Sequence, residues 1–167
     1  EDITGLIGWY AHGNEPSHHV AYLYSYAGQP WRAQARLKQI MDTQYADRPD
    51  GLAGNDDLGQ MSAWYVFTAL GFYPVAPGSA EYIIGRPFLP KASLNLPNGK
   101  TFTVTADGVG KGHDYVGSVT LNGKPLNRTF LRHSEILAGG ELHFTLQAEP
   151  NKAWPGQGAE QPYSMSK

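Results

Sequence analysis

The chain changes its hydrophobic rhythm once. Up to about Pro77, apolar residues recur at helical spacing between proline and glycine stops, and beyond it they alternate in short runs. In the first stretch, Pro16 stands where a first helical residue can lack its N–H, and VAYLYSYAG runs to Gly28, a natural stop before Pro30. That predicts a first helix. PWRAQARLKQIMDTQYA predicts a second, with Trp31, Ala35, Ile40 and Met41 spaced amid polar residues, Pro30 near its start and Pro49 beyond its end. The third, Leu58 to Leu70, is apolar almost all round (Met61, Ala63, Trp64, Val66, Phe67, Leu70) and stops at Gly71, so deep burial is expected. Three helices joined by glycine-rich loops suit a bundle or part of a helical barrel.

The second stretch predicts strands at EYIIG, ASLNLP, TFTVTAD, YVGSVTLNG and ELHFTLQA, with Asn98-Gly99 as a hairpin signal. Val104, Val116, Val119, Phe144 and Leu146 fit a sheet with one wet face, expected as antiparallel β in a sandwich-like layer. Ser134 to Ala138 reads as one helical turn capped by Ser134, and the tail after Trp154 as frayed. The expected fold class is α+β: helices over residues 1–77, a β region over 78–155 and a loose tail over 156–167. Charge follows the same border, summing to -4 up to Pro77 and +2 beyond, and 12 of the 20 aromatics precede it.

With 167 residues, 41% hydrophobic, the chain can bury an ordinary core. Its net charge of -2 offers no basic field for nucleic acid or an anionic membrane, so neither partner is expected. No run approaches the roughly 20 apolar residues that span a bilayer. The chain starts at Glu1 instead of Met and looks structured by Ile3, the expectation being a processed or truncated piece of a longer polypeptide. It has no cysteine, which excludes disulfides, thiol catalysis and thiolate metal sites and is compatible with cytosol or periplasm.

Two segments carry candidate chemistry. In GNEPSHHVAYLY, Glu15 precedes a proline that opens a helix, with His18 and His19 in the first turn, where free N–H groups favour a carboxylate. Read plainly, this is a helix-start acid with two surface or core histidines. In GNDDLGQ, Gly51 and Gly54 upstream allow close approach of a ligand, and Asn55, Asp56 and Asp57 supply the oxygens that hard cations select. The plain alternative makes Asp57 the cap of the following helix and leaves Asp56 solvated. Trp9, Tyr10, Tyr22, Tyr24, Tyr26, Trp31, Trp64 and Tyr65 lie near these turns in sequence, as a sugar ring with apolar faces and hydroxyl edges would require, although most fit a core equally well. Asn127-Arg128-Thr129 is a three-residue glycosylation pattern and weak by itself.

GNEPSHHVAYLYSYAGQPW followed by GLAGNDDLGQMSAWYVFTALGFYPVAPGS closely resembles glycoside hydrolase family 92, the calcium-dependent, inverting, exo-acting α-mannosidases of bacteria. The likeness continues through YIIGRPFLPKASLNLPNGKTFTV and TLNGKPL, nearly the whole chain. It implies that residues 1–77 are the closing helices of an (α/α)6 barrel and that the remainder of the enzyme lies upstream in the same polypeptide. By resemblance, Asp57 is the general base that activates water, with Asp56 and Asn55 beside it; Asn55 stands where some relatives carry an acid. Glu15, Asn14, His18 and Trp64 are implied in contacts with the terminal mannose of a mannose-containing glycan, and Glu15, Asn55 and Asp57 in the environment of Ca2+. The family's general acid lies upstream of GNEP, and residues 1–12 contain no match for it, so this chain is expected to lack it. The likeness points to the α-1,2 type of mannosidase and to a periplasmic or secreted bacterial protein, though the residues themselves do not encode linkage. The rival reading is a non-catalytic fragment whose β region binds glycan or packs on a missing domain.

Overall fold

The computed structural model describes residues 3–165. A short hairpin comes first, β1 (Leu6–Ile7) and β2 (Tyr10–Ala11), then tight turns and the helices α1 (Leu23–Tyr26), α2 (Pro30–Gln44) and α3 (Gln60–Leu70). After α3 come β3 (Phe72–Tyr73), β4 (Glu81–Ile84), β5 (Lys91–Asn95), β6 (Thr101–Asp107) and β7 (Tyr115–Leu121). The last elements are β8 (Lys124–Pro125), β9 (Phe130–Arg132), α4 (His133–Leu137) and β10 (Gly140–Gln147).

α2 matches its predicted span closely, opened by Pro30 and burying Ala33, Leu37, Ile40 and Met41 at helical spacing. The predicted first helix is broken: 3-10 turns at Glu15–Ser17 and Val20–Tyr22 precede the four residues of α1. The cause is tertiary. The Trp64 indole N–H donates to the His18 carbonyl at 2.9 Å, and Tyr22 N–H turns to His19 O instead. α3 starts two residues late because Leu58 and Gly59 both take left-handed backbone angles, and Gly71 closes it in the same region. Its burial is one-sided, with Met61, Trp64, Thr68, Ala69 and Leu70 inward while Tyr65 and Val66 stay exposed.

The strands form a five-stranded sheet in the order β5-β6-β10-β7-β8 and a three-stranded sheet β3-β4-β9. The expectation of a purely antiparallel sheet needs correction, since β10 runs parallel to β6 and antiparallel to β7. Alternation along β6 and β10 buries Phe102, Val104, Ala106, Leu142, Phe144 and Leu146 on one face, leaving threonines, Glu141 and His143 on the other. The β5–β6 hairpin turns at Asn98-Gly99, where Gly99 takes a positive φ. α4 begins at His133, one residue before the predicted cap, and the Glu135 carboxylate accepts the Arg132 N–H at 2.8 Å.

The three-stranded sheet is covered on both faces. Phe72, Ile84 and Leu131 belong to the apolar cluster of the five-stranded sheet, while their neighbours Tyr73, Ile83 and Phe130 pack with Tyr22, Leu37, Ile40 and Trp64 of the helical region. A strand period of two thus joins two cores through one thin layer. Buried Gln34 of α2 reinforces the join by accepting the Val116 N–H at 3.0 Å. The tail, whose composition suggested fraying, is held at several points: Gly156 N–H to Asn127, Glu160 to Arg132, and Tyr163 N–H to Glu81 at 2.8 Å.

Candidate active site

The two acidic segments meet. Thr4, Gly13, Asn14, Glu15, Gly54, Asn55 and Asp57 line one pocket of about 220 Å³. Glycine makes the meeting possible. A Cβ on Gly54 would stand 2.7 Å from Gly13 Cα, and one on Gly13 would stand 2.1 Å from Thr4 Oγ1. The β1–β2 hairpin fixes the near side, with Gly13 N–H donating to Thr4 O at 3.1 Å and His12 N–H to Gly5 O at 3.0 Å.

Adjacent Asp56 and Asp57 have separate tasks. Asp56 accepts the Ser62 N–H at 3.0 Å and the Ser62 hydroxyl at 2.6 Å, so it, and not Asp57, satisfies an open amide in the first turn of α3. Those bonds, the hydroxyl's first, hold the Asp56 carboxyl below the usual carboxylate range. The Asp57 side chain lines the pocket and has no hydrogen-bond or ion-pair partner among the described residues. The backbone separates the two. Leu58 (φ 54, ψ 21) and Gly59 (φ 80, ψ 13) form a type I′ turn, closed by the Gln60 N–H on Asp57 O, immediately before α3. Leucine is strained there, and it is also fully exposed.

Behind the pocket lies a polar network that the sequence did not reveal. Tyr45 Oη donates to Met61 O at 3.0 Å, so His12 Nε2 must donate to Tyr45 Oη at 2.7 Å, leaving Nδ1 to accept from Tyr10 Oη at 2.8 Å. His18 Nε2 donates to His12 O at 2.9 Å, and its Nδ1 accepts from Gln60 Nε2 at 3.1 Å. Gln60 gives its other hydrogen to Tyr73 Oη at 3.0 Å. Both rings are therefore neutral Nε2–H tautomers, stacked with centroids 4.7 Å apart. Burial, reinforced by the neighbouring His18, pushes His12 down to about 3, and burial lowers His18 as well. Burial also raises the phenols of Tyr10, Tyr45 and Tyr73.

His18 and Trp64, the expected sugar contacts, are 1% and 0% exposed, so neither presents a face to the pocket. They tie the GNEP turn to the start of α3 from behind. Tyr22 is equally buried, whereas Trp9 stands fully exposed at the tip of the first hairpin. The signal for the network was faint: a histidine between Tyr10 and Gly13, and a glutamine at the first residue of a helix.

Asn14, Glu15, Asn55 and Asp57 are oxygen donors of the kind calcium selects, and Glu15 Oε1 is a buried acceptor with no donor among the described residues. Among the described residues, no three acidic or histidine side chains gather closely enough to hold a metal. The donors fit part of a calcium shell, with the other ligands left to water, a bound sugar or protein outside these residues.

Residues 1–148 match the model of the glycosyl hydrolase family 92 catalytic domain. A solved family 92 alpha-mannosidase from Bacteroides thetaiotaomicron, in complex with mannoimidazole, superposes with a TM-score of 0.94 at 44% identity, over 98% of this chain and 22% of that one. An inverting family 92 mannosidase of the same organism superposes at 0.88 with 47% identity, over 96% of this chain and 22% of its own. A protein of Arthroderma benhamiae named as an uncharacterized secreted glycosidase is 36% identical over 148 residues, 87% of this chain and 19% of its own length. The chain thus spans about a fifth of the length of these relatives.

Proposed function

The chain belongs to glycosyl hydrolase family 92, and from that membership we propose that it forms part of an exo-acting α-mannosidase that removes terminal α-mannose with inversion. One observation carries the reading. Asp57 is a carboxylate without a partner among the described residues, in a polar pocket built by two converging loops, while its neighbour Asp56 is engaged in holding a helix end.

In this reading Asp57 is the general base. An inverting glycosidase sets its base and acid roughly 6.5 to 9.5 Å apart with water between the base and the anomeric carbon, and Asp56, held by Ser62, is not free to serve as that acid. Asp57 removes a proton from the attacking water as the glycosidic bond breaks, and the leaving oxygen takes a proton from a general acid elsewhere in the polypeptide. Asn14, Glu15 and Asn55 orient sugar hydroxyls on the walls of the same pocket. Glu15, Asn55 and Asp57 would share a calcium ion, which supplies charge stabilisation and orients vicinal hydroxyls when bound. His18, Gln60 and Trp64 hold the two loops at a fixed separation without touching substrate.

Residues 1–77 would close an (α/α)6 barrel whose other helices pack on Leu6, Val20 and Leu23, all exposed in this chain. The α-1,2 linkage and an exported location, periplasmic or secreted, belong to the same proposal; the secreted name of the fungal relative supports the location. The test is Asp57→Asn in the polypeptide carrying these residues, assayed on an α-linked mannobiose with calcium. Turnover should fall by about 10²- to 10⁴-fold with the fold intact. Retained turnover would remove Asp57 as the base and favour a non-catalytic, glycan-binding role.

A further inference from the structure

We propose that a second pocket, on the seam between α2 and the β region, binds an uncharged hydroxylated ligand of pyranose size. It shares no lining residue with the acidic pocket and measures about 290 Å³, near the small end of ligand sites. Lys38, Arg86, Phe88, Gly110, Gly112 and Asp114 contribute to it.

Arg86 and Asp114 lack close partners among the described residues. Arg86 is only 4% exposed, yet its Nε has no acceptor among the described residues, and its Nη2 donates to His113 O at 3.4 Å and lies 3.9 Å from Asp114 Oδ1. The guanidinium lies over the Phe88 ring, 4.3 Å from its centroid. Asp114 faces Lys38 at 4.0 Å, while Lys38 pairs closely with Asp42. A buried cation thus has one long acceptor at Nη2 and none at Nε among the described residues, beside a partly exposed carboxylate whose nearest cations stand 3.9 and 4.0 Å away. Buried polar groups are nearly always satisfied, so the orphaned Arg86 Nε, with Asp114 held off at 3.9 Å, points to a missing third party.

The charges select its chemistry. An oxyanion would suit Arg86 and Lys38 but lie against Asp114, and a cation would suit Asp114 but face two positive groups. A hydroxyl serves both, accepting from the guanidinium and donating to the carboxylate. Adjacent hydroxyls on a ring would repeat that pattern, and Phe88 adds apolar surface. The loop also leaves room: Gly110 and Gly112 hold positive φ, and a Cβ at either would meet nothing within 4 Å.

The experiment is a titration of the polypeptide that carries these residues with methyl α-mannopyranoside, followed by proton–nitrogen NMR at the Arg86 Nε–H and the Gly110 and Gly112 amides. Saturable shifts there are expected. Asp114→Ala, at a partly exposed position, should weaken them about tenfold, the loss of one charge-assisted hydrogen bond, while Asp114→Asn keeps an acceptor and most of the affinity. Unmoved signals would mean that the pocket holds only water. Shifts produced by inorganic phosphate and not by the mannoside would make it an anion site. Either result overturns the proposal, as would an unchanged response in Asp114→Ala or shifts confined to Asn14 and Asn55.

Discussion

The helical region and the β region solve the problem of burial differently. The five-stranded sheet shields one continuous apolar face, with Phe102, Leu142 and Phe144 fully buried, and threonines, Glu141 and His143 covering the other side. The helical region keeps much of its apolar surface outside, including Leu6, Trp9, Val20, Leu23 and Val66, and encloses a polar network of two histidines, three tyrosines and a glutamine. The contrast separates stability from chemistry. The sheet supplies a scaffold, and the helical side spends its interior on fixing two acidic loops while leaving a face for more protein.

The largest effect that should divide the two regions is on stability. Phe144→Ala removes a fully buried ring from the sheet's cluster and should cost about 3–5 kcal/mol in urea unfolding. If the sheet acts only as a scaffold, residual folded protein will keep the NMR signals of Asn14 and Asn55 in place despite the shared three-stranded layer; their loss before global unfolding would break the comparison.

Acid should act first on the other side. Folded His12 binds its proton only near pH 3, and His18 is lowered too, while both titrate near 6.5 once unfolded. The unfolded state therefore takes up more protons below pH 6.5. Stability contributed by the neutral rings is fully present above that pH and falls toward pH 3 by about 1.4 kcal/mol per pH unit for His12, with His18 adding in the same direction. Urea midpoints measured from pH 7 to 5 should fall, and His12→Asn should flatten the dependence. A flat profile in the unaltered chain would mean that the rings are not held neutral.

A smaller effect tests the meeting of the loops. Gly54→Ala introduces a Cβ at 2.7 Å from Gly13 Cα and should cost about 1–3 kcal/mol, with the shifts concentrated at Gly13, Asn14 and Asn55. The smallest has the opposite sign. Leu58→Gly should stabilise by about 1 kcal/mol, because leucine is strained at φ 54 and buries nothing. A stabilised variant with impaired turnover would show that the strain serves the site.

These elements also show what a sequence makes legible. α2, β6 and β10 were readable because proline, glycine and strict periodicity act locally. The parallel pairing of β10 with β6 was not, since it joins segments distant along the chain, and β9 offered only three residues of pattern. The first helix failed because the Trp64 indole, 46 residues away, occupies a carbonyl that an α-helix would need. For the site, GNEP and GNDD marked the two loops, and the structure brings Asn14, Glu15, Asn55 and Asp57 into one pocket. Which aspartate was free was not legible, because Ser62 decides it. Nor could sequence tell that His18 and Trp64 face inward, which depends on His12, Gln60 and Tyr73.

The central claim, that Asp57 is the free base of an inverting site, is tested most directly by following α-linked mannobiose hydrolysis with proton NMR. The polypeptide that carries these residues, supplied with calcium, would be compared with its Asp57→Asn variant. The account predicts β-mannose as the first product and a loss of about 10²-fold or more in the variant. First release of α-mannose, or undiminished turnover by Asp57→Asn, would contradict it.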